Sequence, residues 1–460
     1  MISEIDRSRK YTEWRMDMKV AAIITEYNPF HCGHAYQLSQ IKADFVMVIM
    51  SGNYVQRGEP ALIDKQIRTE MALAGGIDLV LELPLAAAIG SAEYFAKGAV
   101  YLLTQSRVVD CLYFGAEHSE INDLQAIAEI LLNESLEFSV LLQNSLKHGN
   151  SFASARQDAI EALYPHTPYA EILKGSNNIL AIEYLKALRS DQSPIIPYLV
   201  PRQGQAYLDS TYRPDLIMSA TAIRRLLADP QFSAIHPDNC NFSAPGDSLL
   251  AADRQFEVSP QPFENSFYQK LSSALSQALP LSSYEILSHA IAQKKGPIYP
   301  ADIYPFLRMT LLQSDPEELL KIREINSDLL NRLLNGLTQN LDFEDYIRFC
   351  SARNFPAARV KRALLYIFLK QFQPQPLTAE NSYLKILGFR RSAAPLLRKL
   401  QENAVLPVLT NTRHTKKLSS AAYTNYQAEL KADKIYAEIL RHKYQTILPL
   451  PEQNNPIIYP

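Results

Sequence analysis

Apolar positions in the first half of the chain fall in five short, β-branched runs, at residues 20–24, 45–49, 79–83, 108–114 and 195–200. They do not alternate strictly with polar residues, so each reads as a strand covered on both faces. Between them the spacing is helical. Asp64 can cap a helix that runs to about Ala74 and stops at Gly75 and Gly76. Residues 92–104 place Phe95, Ala99 and Leu102 on one helical face. Residues 122–165 read as a helical excursion. Strands alternating with helices predict an α/β fold, a Rossmann-like parallel sheet wound on both faces. Pro197 inside the fifth run predicts an edge strand. Glu82 lies inside the third, where a buried carboxylate needs a partner.

The pattern changes after residue 229. Pro230, Pro237, Pro245, Pro260 and Pro262 mark residues 230–265 as a linker. Beyond it the apolar period is helical, at residues 283–291, 305–312, 317–337 and 360–372. The expected division is an α/β part at 18–229, the linker, and a mainly α-helical C-terminal domain at 266–460. Residues 1–17 are polar and precede Met18-Lys19-Val20. They are expected to be a disordered extension or a misassigned start without a role.

The first apolar run leads into Ile24-Thr25-Glu26-Tyr27-Asn28-Pro29-Phe30-His31-Cys32-Gly33-His34. Asn28 and Pro29 end the strand, and Tyr36, Leu38 and Ile41 set a helical spacing after His34. At such a strand–loop–helix corner backbone N–H groups are unpaired and the helix dipole favours an anion. Gly33 has no Cβ, so a base or phosphate can approach the backbone. His31 and His34 can donate to oxygens that gain charge as phosphorus is attacked. The plainer reading is two surface histidines at a helix start. A zinc site from the two histidines and Cys32 lacks a Cys-x-x-Cys or further clustered ligand, so no protein-held metal is expected.

Other candidates follow strand ends and helix starts. Arg57 lies in the loop after the second strand, where it can meet a ligand anion or brace the loop through Glu59 or Asp64. Gly115 ends the fourth strand, either as a close-approach glycine or as a turn glycine. Ser176 and Asn177 open a helix, as caps or as a second anion or ribose site. Arg202 follows the fifth strand. Ser219 is a cap, Thr221 lies in the first turn and Arg224 one turn on, a set suited to β,γ-phosphates or to capping alone. Neither Gly-x-Gly-x-x-Gly nor a Walker lysine motif is present, so no dinucleotide cofactor or P-loop is indicated.

Composition adds bounds. The 460 residues, 47% hydrophobic and 20% charged, suit a soluble globular protein of two or three domains. No apolar run approaches the ~20 residues of a membrane span. No signal peptide is expected, and the four scattered cysteines fit a reducing cytoplasm. The net charge of −2 hides an asymmetry: residues 341–460 hold 18 Lys and Arg against 9 Asp and Glu, the remainder 28 against 39. A basic C-terminal third suggests a polyanionic partner or a merely solvated basic surface. Its cations cluster at Arg353, Arg359, Lys361 and Arg362, at Arg390, Arg391, Arg398 and Lys399, and at Arg413, Lys416 and Lys417, with Phe355, Tyr366 and Phe389 between them. Most of these aromatics read as core, not as stacking platforms for unpaired bases.

His31-Cys32-Gly33-His34 after a first strand resembles the His-x-Gly-His signature of the nucleotidyltransferase superfamily. Residues 26–34 followed by Met50-Ser51-Gly52-Asn53-Tyr54-Val55-Gln56-Arg57-Gly58-Glu59-Pro60 resemble the tRNA(Met) cytidine acetate ligase family. Cys32 stands where the family usually has Asn, at the variable position of the signature. Residues 218–224 resemble the superfamily's second ATP motif, and the segments around Arg353 to Arg362 and Leu387 to Arg390 resemble the family's C-terminal blocks. The likeness is dense to residue 225 and patchy after it.

The resemblance implies a nucleotidyltransferase-type ATP site formed by Ile24, Thr25, Glu26, Tyr27, Asn28, Pro29, Phe30, His31, Cys32, Gly33, His34, Ala35, Tyr36 and Gln37, with Gly115, Asn177, Arg202, Ser219, Thr221 and Arg224. It implies His31 and His34 as the catalytic pair, ATP as substrate with Mg²⁺ carried on its phosphates, and acetate and elongator tRNA(Met) as partners. The implied reaction is activation of acetate to acetyl-adenylate, then acetylation of the wobble cytidine to N(4)-acetylcytidine. The rival expectations are a small-molecule adenylyltransferase, which needs no basic C-terminal region, and a tRNA-binding protein without catalysis.

Overall fold

A computed structural model describes residues 18–202, 218–229, 274–371 and 375–460. The expected extension 1–17 and linker 230–265 lie outside these residues. The strands are β1 (Val20–Thr25), β2 (Phe45–Ser51), β3 (Tyr54–Val55), β4 (Glu59–Pro60), β5 (Leu79–Leu83), β6 (Cys111–Ala116), β7 (Ile196–Pro201), β8 (Leu384–Arg390), β9 (Val408–Leu409) and β10 (Ile457–Tyr459). The main sheet runs β10-β8-β5-β2-β1-β6-β7, with β9 paired to β8. All its pairings are parallel except β5 with β8.

Each expected strand is present, and β7 is the edge that Pro197 required. The fourth begins at Cys111, three residues later than its apolar run. Arg107 takes a left-handed φ of 53° after the preceding helix, and the Asp110 carboxylate accepts the Val20 N–H at 2.7 Å. Val108 and Val109 are buried in the approach, which is why the run looks continuous.

Burial on both sheet faces follows the period-two alternation of β1. Val20, Ala22 and Ile24 join a core with the helices Ala92–Ser106, Ile121–Leu132 and Ser176–Ser190. Ala21 and Ile23 join the opposite core, with Lys65–Ala74, Ala220–Leu227 and Leu281–Ala292. A third core is built from the C-terminal helices Pro300–Gln313, Ser327–Leu337, Phe343–Cys350, Ala357–Phe368 and Ser420–Tyr444. Tyr54, Leu85 and Ile89 of the α/β part reach into it.

The C-terminal third is mainly helical but also returns to the sheet. Leu384–Arg390 inserts antiparallel beside β5, where Gly388 lies so close to Thr69 and Leu73 that a Cβ would meet them at 2.8 and 2.9 Å. The run expected as one helix at 317–337 is two, Pro316–Leu319 and Ser327–Leu337, because the Asn326 side chain accepts the Leu329 N–H at 2.9 Å and starts a new helix. No helix among the described residues is long and apolar enough to cross a membrane.

Candidate active site

The C-terminal ends of β1, β6 and β7 open onto one cavity of about 350 Å³, the position that open α/β sheets use for ligands. Its floor is the turn after β1. Asn28–Pro29 is a cis peptide, and the Asn28 side chain accepts the Leu62 N–H at 2.8 Å. Arg68, wholly buried, fixes the same strand ends: it donates to the carbonyls of Glu26 at 2.7 Å, Ser51 at 3.0 Å and Ile63 at 3.1 Å, and also to that of Gly52.

His31 is the N-cap of the helix Cys32–Ser39. Its Nδ1 accepts the Gly33 N–H at 3.0 Å, and the His34 Nδ1 accepts the His31 N–H at 3.2 Å. With each Nδ1 serving as acceptor, each neutral ring carries its proton on Nε2. The rings lie 3.9 Å apart, tilted by 32°, and both line the cavity. Tyr27 and Phe30 pack on the His34 ring at 4.7 and 5.7 Å. Burial lowers the His31 pKa to about 3, helped by the charges of Arg202 and Arg224. Burial, then His31 and Arg202, hold His34 well below its ordinary range. The corner therefore presents two uncharged N–H donors beside two fixed cations.

Arg224 Nη1 donates to the Asn28 carbonyl at 2.9 Å, and its Nη2 reaches the Thr221 hydroxyl at 3.3 Å. Ser219 accepts the Ala222 N–H at 3.1 Å, so it does cap its helix, and it lines the cavity as well. On the opposite wall Arg202 Nη1 reaches Asn177 Oδ1 at 3.3 Å. Gly115 lines the same wall, and a Cβ there would meet the Arg202 stem at 3.4 Å. The helix start at Ser176 is not an open anion site. The Glu117 carboxylate accepts the N–H groups of Asn177 and Asn178 at 3.1 and 2.8 Å and occupies it.

Residues 18–448 match the family HIGH Nucleotidyl Transferase. The chain is 33% identical over 401 residues to the tRNA(Met) cytidine acetate ligase of Acetivibrio thermocellus, covering 85% of this chain and 88% of that one. It is 32% identical over 445 residues to that of a Thermoanaerobacter species, covering 94% and 98%. The chain belongs to the tRNA(Met) cytidine acetate ligase family. Its fold matches the crystal structure of Thermotoga maritima TmcAL in the apo form, with a TM-score of 0.81 and 28% identity over 96% of this chain and all of that one. The form of that protein bound with α-thio ATP matches with a TM-score of 0.79.

Against the residues expected for an ATP site, the cavity gathers Ile24 to Asn28, His31, Gly33, His34, Tyr36, Gln37, Gly115, Asn177, Arg202, Ser219 and Arg224. Pro29, Phe30, Cys32, Ala35 and Thr221 do not line it. Phe30 is buried behind His34, and Cys32 faces Gln277, whose carbonyl its thiol reaches at 3.5 Å. Sequence reasoning missed Tyr184, Gln56 and Arg362, which line it too. Arg362 comes from the helix Ala357–Phe368, so the C-terminal third closes the cavity over the sheet. No local signal separates Arg362 from the neighbouring surface cations; its place depends on Gly58, whose Cβ would lie 2.4 Å from the Arg362 backbone nitrogen.

Several C-terminal cations expected to face a polyanion are braces. Lys361 pairs with Glu59 at 2.8 Å. Arg359 and Arg362 pair with Glu324 at 3.5 and 3.3 Å. Arg390 donates to the Leu73 carbonyl at 2.7 Å, and Lys399 to that of Met18 at 3.2 Å. Phe355 and Tyr366 are buried in the helical core. Arg353, Arg391, Arg398, Arg413, Lys416 and Lys417 are exposed.

Proposed function

We propose that this chain is an ATP-dependent ligase that activates acetate as acetyl-adenylate and transfers the acetyl group to the wobble cytidine of elongator tRNA(Met), forming N(4)-acetylcytidine. The observation that carries the reading is the pair of neutral, Nε2-protonated histidines beside Arg202 and Arg224 in one cavity. An acetate oxygen attacks the α-phosphorus of ATP, the bond to the bridging oxygen breaks, and pyrophosphate leaves. His31 and His34 donate to α-phosphate oxygens as charge gathers on them. Arg202 and Arg224 hold the phosphate chain in line for departure. A carboxylate is a poor acyl donor, so a mixed anhydride is the chemical point of the first step.

Mg²⁺ enters in this reading on the phosphates. Among the described residues no group of three or more His, Cys, Asp or Glu is placed to hold a metal ion, and Glu26 is the one carboxylate lining the cavity. We also assign ATP binding to residues 18–229 and tRNA binding to 266–460, in a cytoplasmic enzyme. A base splayed from the anticodon loop would enter where Arg362 borders the cavity.

The test mixes the purified protein with ATP, radiolabelled acetate and unmodified tRNA(Met). Label in the anticodon cytidine that disappears with His34→Ala supports the ligase. Exchange of pyrophosphate into ATP driven by another acid or a phosphate, without label in RNA, moves the reading to a small-molecule adenylyltransferase.

A further inference from the structure

Acyl transfer to an exocyclic amine has a proton to dispose of. The amine nitrogen forms a bond to the acetyl carbon, the bond from that carbon to the adenylate oxygen breaks, and AMP leaves with the electron pair. The new amide is neutral only if one N–H proton departs. The cytidine amine is weakly basic, so a proton acceptor within reach of the nitrogen lowers the barrier.

The described residues around the cavity offer few acceptors. His31 and His34 use Nδ1 to accept backbone N–H groups and carry a proton on Nε2, so they are donors. Arg57, Arg202, Arg224 and Arg362 are cations, and the Tyr27 and Tyr184 hydroxyls keep their protons because burial raises both. Glu26 remains. We infer that Glu26 is the catalytic base that takes the amine proton during acyl transfer, an inference that rests on the ligase reading above.

The geometry suits the role. Glu26 directly follows β1, where its carbonyl is held by Arg68 at 2.7 Å. Its Oε1 accepts the Gln56 N–H at 2.8 Å, and its Oε2 has no hydrogen-bond partner among the described residues. One oxygen is thus anchored, the other has no partner among the described residues, and the residue lines the cavity. Burial raises the affinity of the carboxylate for a proton, against the charges of Arg224, Arg57 and Arg68 and the Gln56 hydrogen bond. A carboxylate made more basic than usual is a better acceptor from a weak nucleophile. The hydroxyl of Tyr184 also senses its charge. The proton then passes from Glu26 to water as AMP and product leave.

Glu26→Gln keeps an acceptor for the Gln56 N–H and removes the base. Two readouts separate the steps in the full chain. Acetate-dependent exchange of labelled pyrophosphate into ATP reports activation. Single-turnover transfer from enzyme-bound labelled acetyl-adenylate to a tRNA(Met) transcript reports acylation, taken across pH 5 to 9. We expect Glu26→Gln to slow transfer about 100-fold or more and to slow exchange far less. Wild-type transfer falls as pH drops and the carboxyl protonates, a limb absent from Glu26→Gln, and Glu26→Asp regains part of the lost rate. Equal losses in both steps would overturn the inference in favour of a role in activation or in holding a phosphate-borne cation. Transfer at the wild-type rate would overturn it outright. A wild-type protein without acetate-dependent exchange would instead overturn the ligase reading itself.

Discussion

Lys65 and Asp433, 368 positions apart, meet at 2.5 Å in the interior. The same ammonium lies 2.6 Å from Glu82, and Lys385 reaches the other Glu82 oxygen at 2.7 Å. This chain of charges fastens the helix Ser420–Tyr444 and the strand Leu384–Arg390 to β5 in the sheet. Each ion would be costly to bury alone, so removing one partner strands the next. Lys65→Met is expected to destabilise the fold by about 3–5 kcal/mol, measured by urea unfolding. Adding Asp433→Asn, which keeps an acceptor for Asn53, is expected to recover part of the loss.

The cluster holds three carboxylates, Glu82, Asp433 and Glu429, against two ammonium groups. Burial lifts Glu429 to about 7, with Lys385 pulling the other way. Burial also opposes the charge on Glu82, but Lys385 and Lys65 prevail and bring it to about 2. The folded chain therefore holds a proton on Glu429 more tightly than the unfolded chain does. The stability from Glu429 is complete below its ordinary 4.5 and is lost as pH rises through about 7. Glu82 acts in the opposite sense, but its contribution is lost only below pH 4.5, outside this window. Glu429→Gln imitates the protonated form. Its stability relative to wild type is expected to grow from pH 5 to pH 8, read as unfolding midpoints at both.

The buried position of Glu82 demanded a cation, but the sequence did not name it. Lys65 stands in an amphipathic helix where any lysine looks solvated, and Lys385 lies 303 positions downstream. Local patterning carried β1, β2 and β5 to within two residues, because their apolar runs are bounded by turn residues. It carried the His31–His34 corner for the same reason, since strand, Pro29 and helix are contiguous. Leu384–Arg390 was not legible as a strand: a short apolar run with Gly388 inside it gains its conformation from pairing with β5. Arg68 and Arg362 were illegible too, since their partners are backbone carbonyls and a loop hundreds of residues away.

The neutral histidines set a pH expectation for the activation step. With His31 near 3 and His34 held well below its ordinary 6.5, neither ring gains a proton between pH 8 and pH 6.5. Acetate-dependent ATP–pyrophosphate exchange should show no loss from imidazole protonation in that range. His31→Asn and His34→Asn should each slow exchange about 10²- to 10³-fold. A wild-type acid limb near 6.5 that disappears in His34→Asn would contradict the neutral pair.

Exposed and braced cations should separate in RNA binding. Arg398 and Lys416 are exposed, whereas Arg390 is bonded to Leu73 and stacked 5.3 Å from the Tyr459 ring. Arg398→Ala and Lys416→Ala are expected to weaken tRNA binding and to lower the slope of log affinity against log salt by about 1 for each phosphate no longer neutralised. Arg390→Ala is expected to lower the unfolding midpoint. Filter binding at several salt concentrations and thermal unfolding check the two arms.

Gly58 packs directly against the backbone of the helix Ala357–Phe368. Its φ is +78°, a region that L side chains seldom adopt, and it turns the short hairpin of β3 and β4. A Cβ would lie 2.4 Å from the Arg362 nitrogen and 2.5 Å from the Lys361 carbonyl carbon, both backbone atoms that no side-chain rotation can clear. Gly58→Ala must therefore push the hairpin off the helix Ala357–Phe368. That shift would loosen the Lys361–Glu59 pair and draw Arg362 away from the cavity, while Arg57 and Gln56 on the hairpin move with it. The variant is expected to lose about 2 kcal/mol or more of stability and to raise the KM for tRNA more than that for ATP, since His31, His34 and Arg224 do not depend on the hairpin. Steady-state kinetics with each substrate varied in turn, below the variant's unfolding temperature, checks this. Equal changes in both KM values would mean that the helix is not part of the RNA entrance.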